Sequence, residues 1–339
     1  MVKSHSAIRI FGFSIFLTVA ALLFVWLQMS IAALLITLIL IIVEITFSFE
    51  NAVINAKVLS KMSKIWQTLF LTVGIIIAIF GVRIILPIII VAIATDLPWQ
   101  QIVDMAINDP VEYAEKLELA HPSISAFGAG FLLMLTLTFF LDNKRQIFWI
   151  DRIEIPLQKL AKPWAPALIG AIIIILWSLI PTNDHSSQTL VAGLIGISTY
   201  FIIFMVTALL NIAHNSTAIH SGIIASLMGF IYLEILDASF SLDSVIGAFA
   251  VTSQILLIAI GLGIGAFWVR SITVFMVRRK TLNTYKYLEH GAHYTVAILT
   301  AALLISLLYD IPTYLPGLIG IGVIISSVIS STRQFVIKK

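Results

Sequence analysis

The sequence predicts an all-α, polytopic transmembrane bundle folded as one domain over residues 1–339, with an inverted-topology internal repeat. Three observations carry this. The chain is 60% hydrophobic and only 11% charged, where a soluble domain carries about 25% charged residues. Its apolar residues fall in long runs, and about 20 such residues cross a bilayer. Two of those runs contain near-copies of one acidic motif, each placing carboxylates where lipid is expected.

The runs divide into about ten spans, each of bilayer-crossing length. They cover 8–28, 30–52, 66–95, 123–141, 164–181, 188–210, 217–238, 245–269, 292–309 and 313–331. The first apolar run, Ile10 to Leu27, is too long for a secretory signal and has no small-residue cleavage pattern, so it reads as a span. The third run holds Arg83 and Pro87 and is a candidate for a kink. Lys and Arg favour cytoplasmic loops. With the N-terminus inside, all 20 Lys and Arg except Arg83, Arg270 and Lys116 fall on inner segments. Both termini are therefore expected in the cytoplasm. The 96–122 segment, with Asp96, Asp104, Asp109, Glu112, Glu115 and Glu118, becomes an outer loop, and 142–163 a cytoplasmic linker. This topology accounts for the net charge of +3 without a nucleic-acid partner.

The first acidic motif reads Glu44-Ile45-Thr46-Phe47-Ser48-Phe49-Glu50-Asn51, and the second Asp237-Ala238-Ser239-Phe240-Ser241-Leu242-Asp243-Ser244. In each, one acid precedes another by six residues, with Phe-Ser before the second. The first motif lies on span two and the second on span seven, five spans later, so the copies run in opposite directions. The repeat units are 30–141 and 217–309. Inverted repeats place a shared site near the midplane, often where helices break. On unbroken helices Glu44, Ser48, Asn51 and Asn55 form one stripe, and Glu234, Asp237, Ser241 and Ser244 another, while Glu50 and Asp243 fall off them. Breaking the helices near Ser48 and Ser241 would bring all five acids together. Arg83 and Arg270 follow the two motifs and are expected to face the same cavity, because an unpaired arginine at membrane depth is costly.

Carboxylates, an amide and hydroxyls are hard oxygen donors, suited to Mg, Ca or Mn. The candidate ligands are Glu44, Glu50, Asn51, Glu234, Asp237 and Asp243, supported by Ser48, Ser241, Ser244, Arg83 and Arg270. The alternative is that these acids only form structural ion pairs with the two arginines. Zero cysteines exclude disulfides, thiolate metal sites and thiol catalysis. No phosphate-binding loop, His-Glu-x-x-His or Gly-x-Ser-x-Gly is present, so neither an enzyme nor a resident cofactor is expected.

Weaker signals are Asn211, His214, Asn215 and His220, read as a polar inner loop or an entry gate, and His290 and His293, read as interfacial polar residues. Gly261, Gly263 and Gly265 read as a close-packing helix face.

At the two motifs the chain resembles the TerC family of integral membrane proteins, within the LysE-like transporter grouping. That family's first motif is a Glu followed by Ser-x-Asp-Asn-Ala, and here Glu44 is followed by Ser48-Phe49-Glu50-Asn51-Ala52. Its second is Glu-x-x-Asp followed by Phe-(Ala/Ser)-x-Asp-Ser, matched by Glu234, Asp237 and Phe240-Ser241-Leu242-Asp243-Ser244. Arg83 and Arg270 sit where the family has arginines, and Tyr285-Lys286-Tyr287-Leu288-Glu289-His290-Gly291 is similar to its entry to a late span. Glu50 replaces the family's usual Asp. The likeness covers about spans two to four and seven to ten. It implies a secondary exporter of a divalent cation, Mn²⁺ first, in a prokaryotic inner membrane and in exchange for protons. A non-transporting scaffold in metal or tellurite resistance, or an exporter of a small organic solute, is the alternative. Lipid and the ion are the expected partners.

Overall fold

The computed structural model describes residues 7–95, 97–214, 219–252, 254–312 and 314–337. Among them there is no strand, and the helices account for nearly the whole chain. The protein is a polytopic helical membrane protein. Among the described residues, seven helices are long and apolar enough to cross a bilayer, or eight if one bent pair is a single span.

The helix ends and bends have local causes. Helix α1 (Ala7–Gln28) is a plain apolar helix. Helix α2 (Ile31–Phe47) starts at Ser30, whose hydroxyl accepts from Ala33 N–H at 3.1 Å. It ends at Ser48, and α3 (Phe49–Leu59) leaves at 50°. The expected break in the first motif is therefore present. The third run is one helical rod in three parts: α4 (Lys64–Ile76), a π-helical stretch Ile77–Ile85 and α5 (Leu86–Thr95). Arg83 lies in the wide turns.

The segment read as an outer loop is more helical than its acidic composition implied. Helix α6 (Trp99–Asn108) is followed by α7 (Pro110–Phe140), which absorbs the span expected at 123–141. Asp109 caps α7 by accepting from Glu112 N–H, and Pro110 occupies the first turn, where its missing N–H costs nothing. The linker contains α8 (Asp151–Lys159). Helix α9 (Ala165–Ser178) is apolar but only 14 residues long, short of the usual span length.

Helix α10 (Ser186–His214) precedes α11 (Ile219–Val251), and α12 (Ile255–Arg279) follows. The second motif thus lies inside one continuous helix, which corrects the expectation of a break there. No Gly or Pro lies between Glu234 and Ser244, and Ser239 and Ser244 return their hydroxyls to the carbonyls of Ile235 and Ser241. Helix α12 ends at Lys280, which takes a left-handed conformation with φ 53°. A short α13 (Thr281–Thr284), α14 (Leu288–Ser306) and α15 (Tyr314–Ile337) complete the chain.

Helix α7 lies in the centre, packed on α10, α11 and α14 around Phe131, Leu132 and Leu236. Gly130 and Gly196 let the backbones of α7 and α10 touch, and Gly193 makes room for Ile174 of α9. Gly261 and Gly265 do the same for α12 against Leu40, Ile41 and Glu44 of α2. Large apolar side chains such as Phe16, Leu35, Ile93, Trp164 and Leu318 point outward, as a surface facing lipid requires.

Candidate functional site

Where α2, α3, the π-helical stretch, α11 and α12 meet, charged side chains are buried together. Glu44, on the last turn of α2, is fully buried. It accepts from Ser48 Oγ at 3.1 Å and forms an ion pair with Arg83 Nη2. Arg83 also donates to the carbonyl of Ala78 at 2.8 Å, and its Nη1 lies 3.9 Å from Asp237 Oδ2. Asp237 accepts from Asn51 Nδ2 at 2.7 Å, a bond joining residues 186 positions apart. Arg270 Nη2 lies 3.3 Å from Glu234 Oε1 and 3.6 Å from Asp237 Oδ2. Its Nη1 donates to the Phe70 carbonyl at 2.7 Å, and the guanidinium stacks on the Phe70 ring at 3.9 Å. Gly74 makes room, because a Cβ there would come within 2.5 Å of Glu234 Oε1.

The result is an alternating chain of charge, Glu44, Arg83, Asp237, Arg270, Glu234. Acids and arginines that would each be costly alone are here partnered. The two motifs form one centre, and both arginines face it.

The centre is not saturated. Glu44 Oε2, Asn51 Oδ1, Asn55 Oδ1, Asp237 Oδ2 and Ser241 Oγ are buried with no hydrogen-bond partner, as is Arg83 Nε. Asn55 is one turn beyond Asn51 on α3, and Ser241 one turn beyond Asp237 on α11. As the side chains stand, no group of three His, Asp or Glu among the described residues is gathered to hold a metal. The guanidinium of Arg83 lies between Glu44 and Asp237 and keeps them apart.

The family described as "protein of unknown function (DUF475)" matches residues 49–336. The chain belongs to this family. No curated protein and no solved structure matches the chain. The family match begins at Phe49, so it takes in Glu50, Asn51, Asn55, both arginines and the whole second motif, and begins after Glu44.

The other expected residues are placed differently. Glu50 is buried but stands apart from the arginines. Among the described residues no Lys or Arg pairs with it. It lines a second cavity of about 230 Å³ with Ser48, Ser244, Phe47, Phe240 and Tyr314. The convergence of all acids on one cage is therefore corrected: Glu50 opens on this second cavity and not on the arginine-paired centre. The side chains of Asp243, Asn211, His214, Asn215 and His220 lie outside the described residues.

Sequence reasoning missed a second charged cluster. Glu154, on the linker helix α8, is fully buried. It accepts from the N–H groups of Trp149 and Ile150 at 3.1 and 3.2 Å. It pairs with Arg145 at 3.0 Å and with His290 Nδ1 at 2.9 Å. Tyr294 donates to it at 3.3 Å. Burial opposes its ionisation, but the His290 contact and the two backbone donors outweigh that and hold its carboxyl below the usual range. His290 and His293 are thus buried at the start of α14 rather than interfacial, with His293 stacked on Phe139 at 3.7 Å. The hint in the sequence was slight: Glu154 is the one acid flanked by isoleucines in a mixed-charge linker.

Proposed function

We propose that the protein is a secondary transporter that exports a divalent cation, Mn²⁺ first, from the cytoplasm, with protons as the exchanged ion. The observation that carries this is the set of five buried oxygens without a hydrogen-bond partner at the joint of the two motifs. Carboxylate, amide and hydroxyl oxygens are the donors a hard divalent ion takes. Glu44 and Asp237 together match its two charges. The crossed packing fits an inverted repeat: the first motif's helix rests on α12, and the second's on the π-helical stretch, so each motif faces the arginine helix of the other half. The resemblance to the TerC family, the bias of basic residues towards inner loops and an inner-membrane location belong to the same reading.

The test is Mn²⁺ binding and efflux in proteoliposomes for wild type and Asp237→Asn. A divalent ion depends on carboxylate charge, so the variant should lose at least about tenfold in affinity, the factor worth 1.4 kcal/mol, while remaining folded. A folded Asp237→Asn variant with unchanged Mn²⁺ binding and efflux defeats the reading.

Two other readings each have an observation behind them. The Glu44–Arg83 and Glu234–Arg270 pairs favour a scaffold with structural charges, in which wild type binds no Mn²⁺ and Asp237→Asn only lowers the melting temperature. The cavity at Glu50, mostly apolar with one carboxylate, favours a small organic cation as cargo. Competition of such a cation with Mn²⁺ efflux separates that case.

A further inference from the structure

We infer that Arg83 is a tethered stand-in for the transported cation: it occupies the acid centre when the cargo is absent and swings aside when the cargo enters. This rests on the reading above that the centre takes a divalent ion. Arg83 lies between Glu44 and Asp237, the two carboxylates of the joint, and pairs with both. A cation that used both carboxylates would meet its guanidinium first. Arg270 also lies 3.6 Å from Asp237 Oδ2, but it does not reach Glu44, and it is held in place by the carbonyl and ring of Phe70 and by its pairing with Glu234.

Arg83 also has somewhere to go. Its other side lines a cavity of about 50 Å³ formed with Tyr113, Ala106, Val245, Phe249 and Ala259. Its Nε is buried without an acceptor. Its backbone belongs to the π-helical stretch Ile77–Ile85, a form that is usually short and concentrated at functional sites. Moving the guanidinium towards that cavity frees Glu44 Oε1 beside the oxygens already without a hydrogen-bond partner. It leaves two carboxylates for a doubly charged ion, with Glu234 and Arg270 still neutralising each other. The centre then holds positive charge in both states, which lowers the cost of an empty carrier changing its facing.

Arg83 acts on the cargo by competing for its ligands, so its removal should tighten binding and slow turnover. In full-length Arg83→Gln, Mn²⁺ affinity should rise by about tenfold, an ordinary size for coupling between two ligands. Mn²⁺/Mn²⁺ exchange in proteoliposomes should persist while net efflux falls. Ala259→Val fills the receiving cavity without touching the centre, so it should weaken Mn²⁺ binding and serves also if Arg83→Gln does not fold. Weaker or unchanged binding in a folded Arg83→Gln, or unchanged binding in Ala259→Val, overturns the stand-in and leaves the divalent site standing. If neither wild type nor Arg83→Gln binds Mn²⁺, the divalent reading itself falls and this inference with it. Binding in Arg83→Gln but not in wild type supports both.

Discussion

At the scale of single residues, glycine and asparagine do more here than their chemistry announces. Gly265 lies against Glu44, and an added methyl would come within 2.5 Å of its Cβ and Cγ and 3.3 Å of the Ile41 carbonyl. Neither neighbour can yield, because α2 is held there by Gly261 as well. Gly265→Ala should therefore destabilise by about 1–3 kcal/mol, the usual cost of overpacking, read as a lowered melting temperature in detergent. Asn51→Leu removes the donor to Asp237 Oδ1. Leaving that buried oxygen unbonded should cost about 1–3 kcal/mol, whereas Asn51→Gln should recover part of it if its longer arm still reaches. The residue types of the centre were legible in the sequence, because intramembrane acids stand out against apolar runs. Their partnering was not. Spacing along one helix cannot say that Asp237 meets Asn51, nor that Glu50 opens on another cavity.

Among the elements, the linker is where sequence and structure differ most. Residues 142–163 read as a solvated inner strap, yet α8 buries Glu154 against α14. One buried acid in a polar stretch leaves no periodic trace, since its partners Arg145, His290 and Tyr294 come from separate segments. Glu154→Gln should loosen the strap by about 1–3 kcal/mol, the cost of breaking buried polar partners. Limited proteolysis between α8 and α9 would report it. Because this carboxyl is held below its ordinary value, its contribution is complete above the unfolded Glu value of about 4.3. It fades as pH falls through the lower folded value. The melting temperature of wild type should thus drop on acidification below that point more steeply than that of Glu154→Gln. The second motif gives the opposite lesson. Paired helix breaks were expected from the likeness of the copies, but α11 runs unbroken through the second motif, which holds no Gly or Pro between Glu234 and Ser244.

For the whole molecule, composition alone disclosed a helical membrane protein, and the long runs located most helices to within a few residues. Length along the sequence does not settle what crosses: helix α9 is short, and α2 and α3 bend at Ser48. The absence of cysteine makes the orientation directly measurable. In intact cells, Lys116→Cys should react with an impermeant maleimide and Lys162→Cys should not. The reverse pattern would turn the molecule over and make the proposed exporter an importer.

The ion pairs also bear on how such a chain can be made. Glu44 and Asp237 belong to different halves, and the Asn51–Asp237 bond waits for 186 residues of synthesis, roughly 10–40 s at ordinary ribosome speed. A bare carboxylate could not sit in lipid for so long without cost. Each half brings its own relief: Arg83 follows Glu44 by 39 residues, and Arg270 follows Glu234 by 36. Each half therefore enters the bilayer with an arginine that relieves part of its carboxylate charge. The join between halves is left as the last step of assembly, so two halves produced as separate polypeptides should still find one another in the membrane.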